Sequence, residues 1–382
     1  MIKLRPRAGF SAIVLLTAAS CASPTADPLA LTAKVTLSIG AFDDDRYAFS
    51  RIEGITVGPG GHIFVLQHED ANVREYDSTG AFVRFIGKRG MGPGEFSLPT
   101  KMWWSDGSLW VADGNLMRAT RFERSGVAVE TQAMAAPGLG FSLQNADLLR
   151  DGSLLGQEQF VPGHPRFDRD STPLVRVRGS VVDTILWLNV RNFAAFVGDP
   201  AKKRFFTMRH PFADYDVYRI APTRDTIVVT RRNVRSQPGR AELLWFDLNG
   251  IQLRRRQFNL APVPIPGAVR DSVIDFFAGA ITRSGIAPTM TVGREITRRS
   301  LTLPQDYPPF GEVLLAADGS IWVCRGQSQS TDLWLIIGTT GQPLARVTVP
   351  LGLRLLYIAP PHAWAVQTNE LGVPAVVRLT VQ

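Results

Sequence analysis

The chain has 382 residues, of which 45% are hydrophobic, and this content is sufficient for a large folded core. The formal net charge of +8 is modest for this length and the sequence has no nucleic-acid-binding motif, so we exclude nucleic-acid binding. Glycine (34) and proline (26) are frequent between short apolar runs, which favours an all-β fold.

The first 20 residues have the pattern of a secretory signal peptide. Three basic residues precede the apolar run Phe10 to Leu16, which is too short to span a bilayer, and small residues follow it. The segment LTAASC, which ends at Cys21, resembles the lipobox of bacterial lipoproteins, whose cysteine becomes the lipidated first residue of the mature chain. We therefore expect a signal peptide over 1–20, a lipidated tether over 21–33, and a location in the periplasm or on the outer surface of a bacterium. The alternative is an ordinary cleavage site nearby and secretion without lipid.

Cys324 is the other cysteine of the chain, and it lies in the apolar segment SIWVC. If Cys21 carries lipid, no intramolecular disulfide can form, and stability must come from packing alone. We expect Cys324 to be a small buried hydrophobe rather than a reactive thiol.

One local pattern recurs five times: a polar turn with Gly or Asp at its tip, followed by a short apolar strand. The copies are GPGGHIFV (58–65), SDGSLWVAD (105–113), RDGSLLGQE (150–158), TRDTIVVT (223–230) and ADGSIWVC (317–324). Repetition at a spacing of roughly 45 residues is typical of stacked or radial folds, in which one copy is too small to bury its own apolar face.

The first copy defines the repeating unit. Its predicted strands are Arg51–Val57, His62–Gln67, Asn72–Asp77 and Ala81–Ile86. Four antiparallel strands joined by tight turns form one blade of a β-propeller. The C-terminal residues supply three strands of a last blade, and the alternating apolar stretch 34–39 can supply its fourth. We therefore predict an all-β, six-bladed propeller over 34–382, closed by this N-terminal strand, since closure protects two exposed edges.

Two intervals between copies are longer than a bare blade requires. Residues 192–215 are expected to form a loop with an extra hairpin. Residues 264–285 place apolar side chains at helical spacing, so we predict a helical insert around 266–300, within the interval 262–304, on one face of the disc. A degenerate seventh blade in this interval is the alternative.

The segment 86–126 resembles NHL-repeat propellers, in which GxGPGEFxxP ends one blade and a DGxLWVAD turn begins the next. More broadly, the chain from residue 34 onward is similar to the bacterial six-bladed β-propeller lipoproteins. This resemblance implies the fold and an exported, membrane-attached location, but no reaction. We interpret GPGEF as a connector in which Phe96 fills the apolar gap between two blades, and not as a phosphate-binding loop.

Two polar insert loops contain candidate ligand-binding residues. These are His164, Arg166 and Asp168 in GHPRFDRD (163–170), and Arg209, His210 and Asp214 in MRHPFADYD (208–216). A histidine together with carboxylates and arginine can bind a metal or an anion. The alternative is that these are ordinary polar surface loops.

A second set of candidates concerns metal binding. Glu53 begins the innermost strand of the first blade, where gluconolactonase-like propellers carry a calcium-ligating glutamate before glycine. Asn145 and Asp147 lie near the start of another inner strand and could supply further oxygen ligands. Apart from such a calcium ion, no cofactor is predicted, and no GxSxG, HExxH or CxxC motif is present.

The leading functional hypothesis is a monomeric, lipid-anchored propeller that binds or scaffolds a protein, peptide or glycan partner through loops over its central channel. It would contact the membrane through its anchor only. The alternative is a metal-dependent hydrolase or lyase, gluconolactonase-like, with its site at the mouth of the channel. The sequence favours a binding module over an enzyme without deciding between them.

Overall fold

The computed structural model describes residues 28–135, 143–158, 170–190, 194–199, 204–232, 239–328 and 330–382. The chain begins with strand β1 (Leu29–Ile39) and continues into the first blade. This blade consists of β2 (Ile52–Val57), β3 (Ile63–Gln67), β4 (Asn72–Tyr76) and β5 (Phe82–Ile86), paired in that order and antiparallel. The four predicted strands of the first repeat are therefore confirmed to within one residue at each end. Every residue of β3 is buried, because neighbouring blades cover both faces of the sheet.

The GPGEF connector follows blade one and contains the short parallel pair β6 (Lys88–Arg89) and β7 (Glu95–Phe96). Phe96 is fully buried and packs in one cluster with Leu66 of blade one and Val111 of blade two, so the connector interpretation is confirmed. Gly87 has a φ of 70°, and a Cβ there would lie 2.3 Å from the Phe96 ring. Glycine is therefore required where the chain passes the buried ring.

Blades two to four have the same four-stranded antiparallel order. Blade two consists of β8 (Pro99–Ser105), β9 (Ser108–Asp113), β10 (Arg118–Phe122) and β11 (Ala128–Ala133). Blade three consists of β12 (Leu143–Leu148), β13 (Leu154–Glu158), β14 (Ser171–Arg178) and β15 (Val181–Asn189). The predicted extra hairpin follows as β16 (Ala194–Asp199) and β17 (Arg204–Arg209). Blade four consists of β18 (Val217–Ile220), β19 (Thr226–Arg231), β20 (Arg240–Asp247) and β21 (Gln252–Asn259).

The predicted helical insert follows blade four, and it consists of two helices, α1 (Gly267–Arg283) and α2 (Met290–Ser300). A seventh blade is therefore excluded from this interval. Blade five consists of β22 (Val313–Leu315), β23 (Ile321–Gln327), β24 (Thr331–Ile337) and β25 (Pro343–Pro350). Blade six begins with β26 (Leu353–Ala359), β27 (His362–Thr368) and β28 (Pro374–Val381). Within the described ranges, neither helix is long and apolar enough to cross a membrane.

Strand β1 completes the sixth blade and joins it to the fifth. Residues Ala33 to Ile39 pair antiparallel with β28, as predicted for 34–39. The strand nevertheless begins at Leu29, and Leu29 to Thr32 pair in parallel with β25. Residues 29–33, which the sequence analysis assigned to the tether, therefore belong to the sheet, because the outer edge of blade five offers them backbone partners.

Asp–Gly turns explain the recurring sequence pattern. The Asp151 and Asp318 carboxylates accept hydrogen bonds from the backbone N–H groups of Ser153 and Ser320, respectively, two residues further along the chain. The intervening Gly152 and Gly319 both have a φ of 81°, a conformation that other residues rarely adopt. The third and fifth copies thus encode their own turns between the first and second strands of their blades.

Successive strands run in opposite directions, so the connections between them lie alternately on the two faces of the disc. The turn face carries the tight turns between the first and second strands and between the third and fourth strands of each blade. The loop face carries the connections between second and third strands and those between blades, including both inserts. Strand β1 starts at the turn face, since Leu29 pairs with Ala345 at the beginning of β25.

The two inserts pack on each other and form one unit on the loop face, the insert module (194–199, 204–209 and 267–300). Val197 of the hairpin shares a small core with Phe277 and Ile281 of α1 and with Leu301 after α2. All four side chains are at least nine-tenths buried. Burial of this apolar surface attaches the hairpin to the helices, although they lie about 70 residues apart in the chain.

Candidate functional site

The innermost strands of the six blades line the central channel, and each brings one charged residue to it. We call these the channel charges: Glu53, Lys101, Asp147, Arg219, Glu312, which directly precedes β22, and Arg354. Their sign alternates from blade to blade around the ring. The channel therefore carries three cations and three anions in regular alternation.

Each channel cation donates a hydrogen bond to the innermost strand of the next blade. Lys101 Nζ lies 3.3 Å from the Ala146 carbonyl, Arg219 Nε lies 3.0 Å from that of Val313, and Arg354 Nη2 lies 2.7 Å from that of Ile52. The innermost strand is an edge of its sheet, so carbonyls that face the channel have no strand partner. The cations satisfy these carbonyls and link blade two to three, four to five and six to one.

On the side of blades two to four the channel charges form ion pairs. Asp147 Oδ2 lies 3.0 Å from Lys101 Nζ, and its Oδ1 lies 3.7 Å from Arg224 Nη2. Arg224 comes from a turn of blade four, donates to the Leu148 carbonyl and lies over the Trp103 ring at 4.4 Å. Burial lowers the pKa of Arg224, and Asp147 counteracts this effect. Arg224 thus connects blade four to blade three by a hydrogen bond and an ion pair, and to blade two by a cation–π contact.

On the side of blades four to six, the channel charges form no ion pair with any residue that the structure describes. Among the described residues, no oppositely charged group lies within 4.0 Å of Arg219, Glu312 or Arg354. Solvent in the channel reaches all three side chains, but the surrounding strands enclose Arg219 and Glu312 enough to desolvate their charged groups. We call this the open half of the channel. Surrounding protein raises the pKa of Glu312, and the nearby Arg219 and Arg354 guanidiniums counteract part of this rise. Burial also lowers the pKa of Arg219.

The structure places the predicted metal ligands beside cations. Glu53 Oε2 lies 3.3 Å from Arg51 Nε and 4.0 Å from His68 Nδ1. Asp147 forms the ion pairs given above, and the side chain of Asn145 lies outside the described part of the structure. In the part of the chain that the structure describes, no group of three or more His, Cys, Asp or Glu residues could hold a metal ion.

The predicted ligand-binding loops are described only in part. His164, Arg166 and Asp168 lie outside the described residues, as does the side chain of Arg209 at the end of β17. His210 Nδ1 lies 2.5 Å from the carbonyl oxygen of its neighbour Pro211. Asp214 lies four residues further along the same loop-face segment, which leads into blade four.

The segment after Asp214 is held by buried charged groups. Arg232 donates to the Tyr215 carbonyl at 2.8 Å and to the Gly311 carbonyl at 3.1 Å. The Asp216 carboxylate accepts from the Asn189 N–H at 3.0 Å, and burial raises its pKa. These bonds join blade four to its neighbours, so they give this end of the candidate loop a structural role.

Two grooves flank segment 41–50 on the loop face, beside blades one and six. One has a volume of about 320 Å³ and is lined on its far side by Gly372 to Pro374, and the other has a volume of about 370 Å³ and reaches Asp70 and Arg74. Phe42 and Leu371 stand at this surface with 85% and 88% exposure. The loop face therefore has both concave sites and uncovered apolar side chains.

The sequence analysis missed Lys101, Arg219, Glu312 and Arg354. A signal was present, because inner strands such as VYRI and LRLLYIA carry a single charge within an apolar run. A lone charge in a strand covered by two neighbouring blades must face the channel. The alternation of these charges becomes visible only when all six inner strands are compared.

Comparisons with known proteins found one family model and several solved structures that are similar to this chain. A family model described as a 6-bladed beta-propeller matches residues 44–113, less than a fifth of the chain. A candidate exported protein of Bacteroides fragilis has 12% identity and a TM-score of 0.49, with 92% of this chain and 95% of that chain covered. A gluconolactonase from Xanthomonas campestris has 12% identity and a TM-score of 0.42, with 91% and 99% covered. For virginiamycin B lyase from Staphylococcus aureus the identity is 10% and the TM-score 0.43, with 91% and 99% covered.

All three TM-scores are below 0.5 and support no argument, and no curated protein matches the chain. The order of strands in the four-stranded sheets and the family match both identify the fold. The chain is a six-bladed β-propeller.

Proposed function

We propose that this protein is an exported, lipid-anchored propeller that binds a protein or peptide partner with its loop face. One observation carries the proposal: both inserts lie on the loop face, whereas β1 enters the propeller from the opposite, turn face. In propellers, binding residues are found mainly on loops and inserts outside the blades, because the blades form the rigid scaffold. The sequence alone favours the same kind of binding module, with a protein, peptide or glycan as its partner.

The position of β1 gives an orientation if Cys21 carries the lipid. Seven residues separate Cys21 from Leu29, and an extended chain of this length reaches about 30 Å at most. The turn face would then lie toward the membrane and the loop face away from it. A partner approaching from the aqueous side would meet the insert module and the grooves first.

The chemistry of the loop face favours a protein or peptide over a glycan. Phe42 and Leu371 are large, exposed apolar side chains next to a groove, and such side chains are typical anchors of protein interfaces. Asp43, Asp45, Glu69 and Glu370 surround them as exposed carboxylates. Apolar anchors within a polar rim form the usual pattern of a protein-binding patch.

Site-specific photo-crosslinking in cells tests this proposal. A photoreactive residue is placed at Phe42 or Leu371 on the loop face, and at Ile251 on the turn face as the matched control, since Ile251 is also an exposed apolar residue. We expect one defined crosslinked envelope protein from the loop-face positions and none from Ile251. Equal products from both faces, or none from the loop face, would contradict the proposal.

The metal-dependent alternative receives less support from the geometry. Glu53 and Asp147 each have a cation as a close partner, and a metal ion would have to displace Arg51 or Lys101 to reach them. We therefore expect elemental analysis of the purified protein to find calcium and zinc well below one equivalent per chain. One equivalent of either ion after dialysis would favour a hydrolase or lyase instead.

A further inference from the structure

We propose that the open half of the channel, formed by Arg219, Glu312 and Arg354, is a binding site for a small oxyanion, a carboxylate or a phosphate. This proposal does not depend on a partner at the loop face. It rests on the unequal distribution of ion pairs among the channel charges. Asp147 has cationic partners from two other blades. In the open half, two guanidiniums face one carboxylate, and no described residue forms an ion pair with any of the three within 4.0 Å.

The two guanidiniums retain hydrogen-bond donors that can reach a ligand. Arg219 uses Nε and Nη1 for the carbonyls of Val313 and Tyr218, which leaves Nη2. Arg354 uses Nη2 for the Ile52 carbonyl, which leaves Nε and Nη1. The remaining nitrogens, one on Arg219 and two on Arg354, are charged donors, and each can donate a hydrogen bond to a carboxylate or phosphate oxygen.

The same backbone bonds hold the arginines in place before any ligand binds. Val313 and Ile52 belong to the inner strands of the next blades, so each arginine head is fixed between two blades. A fixed arginine loses less conformational entropy on binding than a free surface side chain. The protein around Arg219, which lowers its pKa, also weakens screening by water and strengthens attraction to an anion.

Glu312 lies within the electrostatic reach of both arginines and competes with a bound oxyanion. The charged groups that act on it are Arg219 from β18, Arg354 from β26 and Asp332 from β24. Burial raises its pKa, so the carboxyl becomes neutral at a higher pH than an exposed glutamate would. When the pH falls through this value, repulsion of the anion disappears and the carboxyl can donate a hydrogen bond. Oxyanion binding is therefore expected to tighten toward acidic pH.

Isothermal titration calorimetry with inorganic phosphate and, separately, with citrate tests the site on the mature chain. We expect Arg219→Gln and Arg354→Gln to weaken binding by about tenfold or more, since each removes a charged donor. Glu312→Gln should tighten binding and remove the part of its pH dependence that comes from Glu312, while the titration of the oxyanion itself remains the same in both proteins. Arg346→Gln is the matched control, because Arg346 is exposed on β25, the outer strand of blade five. A preference for one titrant separates a phosphate site from a carboxylate site.

The proposal is overturned if neither titrant binds, or if both bind equally well to the wild type and to the two arginine variants. Far-UV circular dichroism identifies any arginine variant that fails to fold after losing its backbone bond. Glu312→Gln keeps the proposal falsifiable in that case, because it removes no hydrogen bond shown in the structure. Unchanged or weaker oxyanion binding by Glu312→Gln would contradict the site by itself.

Discussion

Burial decides the chemistry of Cys324, the cysteine that the structure describes. The sequence predicts a buried hydrophobe, and in the structure Cys324 lies in β23, is partly buried, and has its thiol 3.9 Å from the Gly326 carbonyl. Burial raises the pKa of Cys324 to about 12. Since the thiolate is the reactive form, this cysteine is held in an inert state.

Alkylation of Cys324 should therefore be slow in the folded protein. At pH 8, iodoacetamide should modify the peptide containing Cys324 roughly a thousandfold more slowly in native buffer than in denaturant, because the thiolate fraction is small. Mass spectrometry of the digested protein measures both rates. Similar rates in the two conditions would show that the thiol is accessible and ionised.

Arg224 is the second residue whose role depends on its surroundings. It has a φ of 57° and bonds to the Leu148 carbonyl and Asp147 while lying over Trp103. Arg224→Ala should lower the free energy of unfolding by about 2 kcal/mol or more, since it breaks a buried ion-pair network. Denaturant unfolding measures the loss. Arg150→Ala, which removes the exposed pair with Asp106, is the control and should change little.

At the scale of elements, hydrophobic periodicity predicts the insert helix but not every side chain that it buries. Apolar spacing correctly predicted a helix over 264–285, and Phe277 and Ile281 are buried as that spacing requires. Phe276 also falls at this helical spacing, but its side chain is 54% exposed. The pattern alone could not distinguish Phe276 from Phe277, because the choice between them depends on where α2 and the hairpin pack.

Two glycines of the insert should respond in opposite ways to alanine. A Cβ at Gly293 of α2 would lie 2.9 Å from the Ala278 carbonyl oxygen, so Gly293→Ala should separate the helices and cost about 1–3 kcal/mol. At Gly279 of α1 the nearest atom is the mobile Arg283 Nη1, so Gly279→Ala should stabilise by up to about 1 kcal/mol. Thermal unfolding monitored by circular dichroism compares the two. Stabilisation by Gly293→Ala would show that the helices do not approach closely.

At the scale of the whole molecule, β1 connects the beginning of the chain to its end. Ala33 marks the point where β1 passes from β25 to β28, and it is 3% exposed within the core of blades five and six. The ring is therefore closed by backbone pairing and by buried apolar contacts at the same place. Disturbing this contact should loosen two blades at once.

Ala33→Glu should lower the free energy of unfolding by about 3 kcal/mol or more, because it buries an unpaired charge in the closure. Ala30→Glu is the matched control, since Ala30 is an exposed residue of the same strand. Differential scanning calorimetry should show one transition at a clearly lower temperature for the first variant alone. Equal behaviour of the two variants would contradict closure through β1.

The sequence by itself determined the blades, the closing strand and the inserts, because their signals are local: an Asp–Gly turn, a run of apolar residues, a helical spacing. The tertiary structure decided which side chains meet in the channel. The channel charges come from six strands spread over about 300 residues, and the partner of each is set by the order of the blades around the ring. No single segment contains this information, so the alternation of charge and the open half of the channel emerged only when the six strands were brought together.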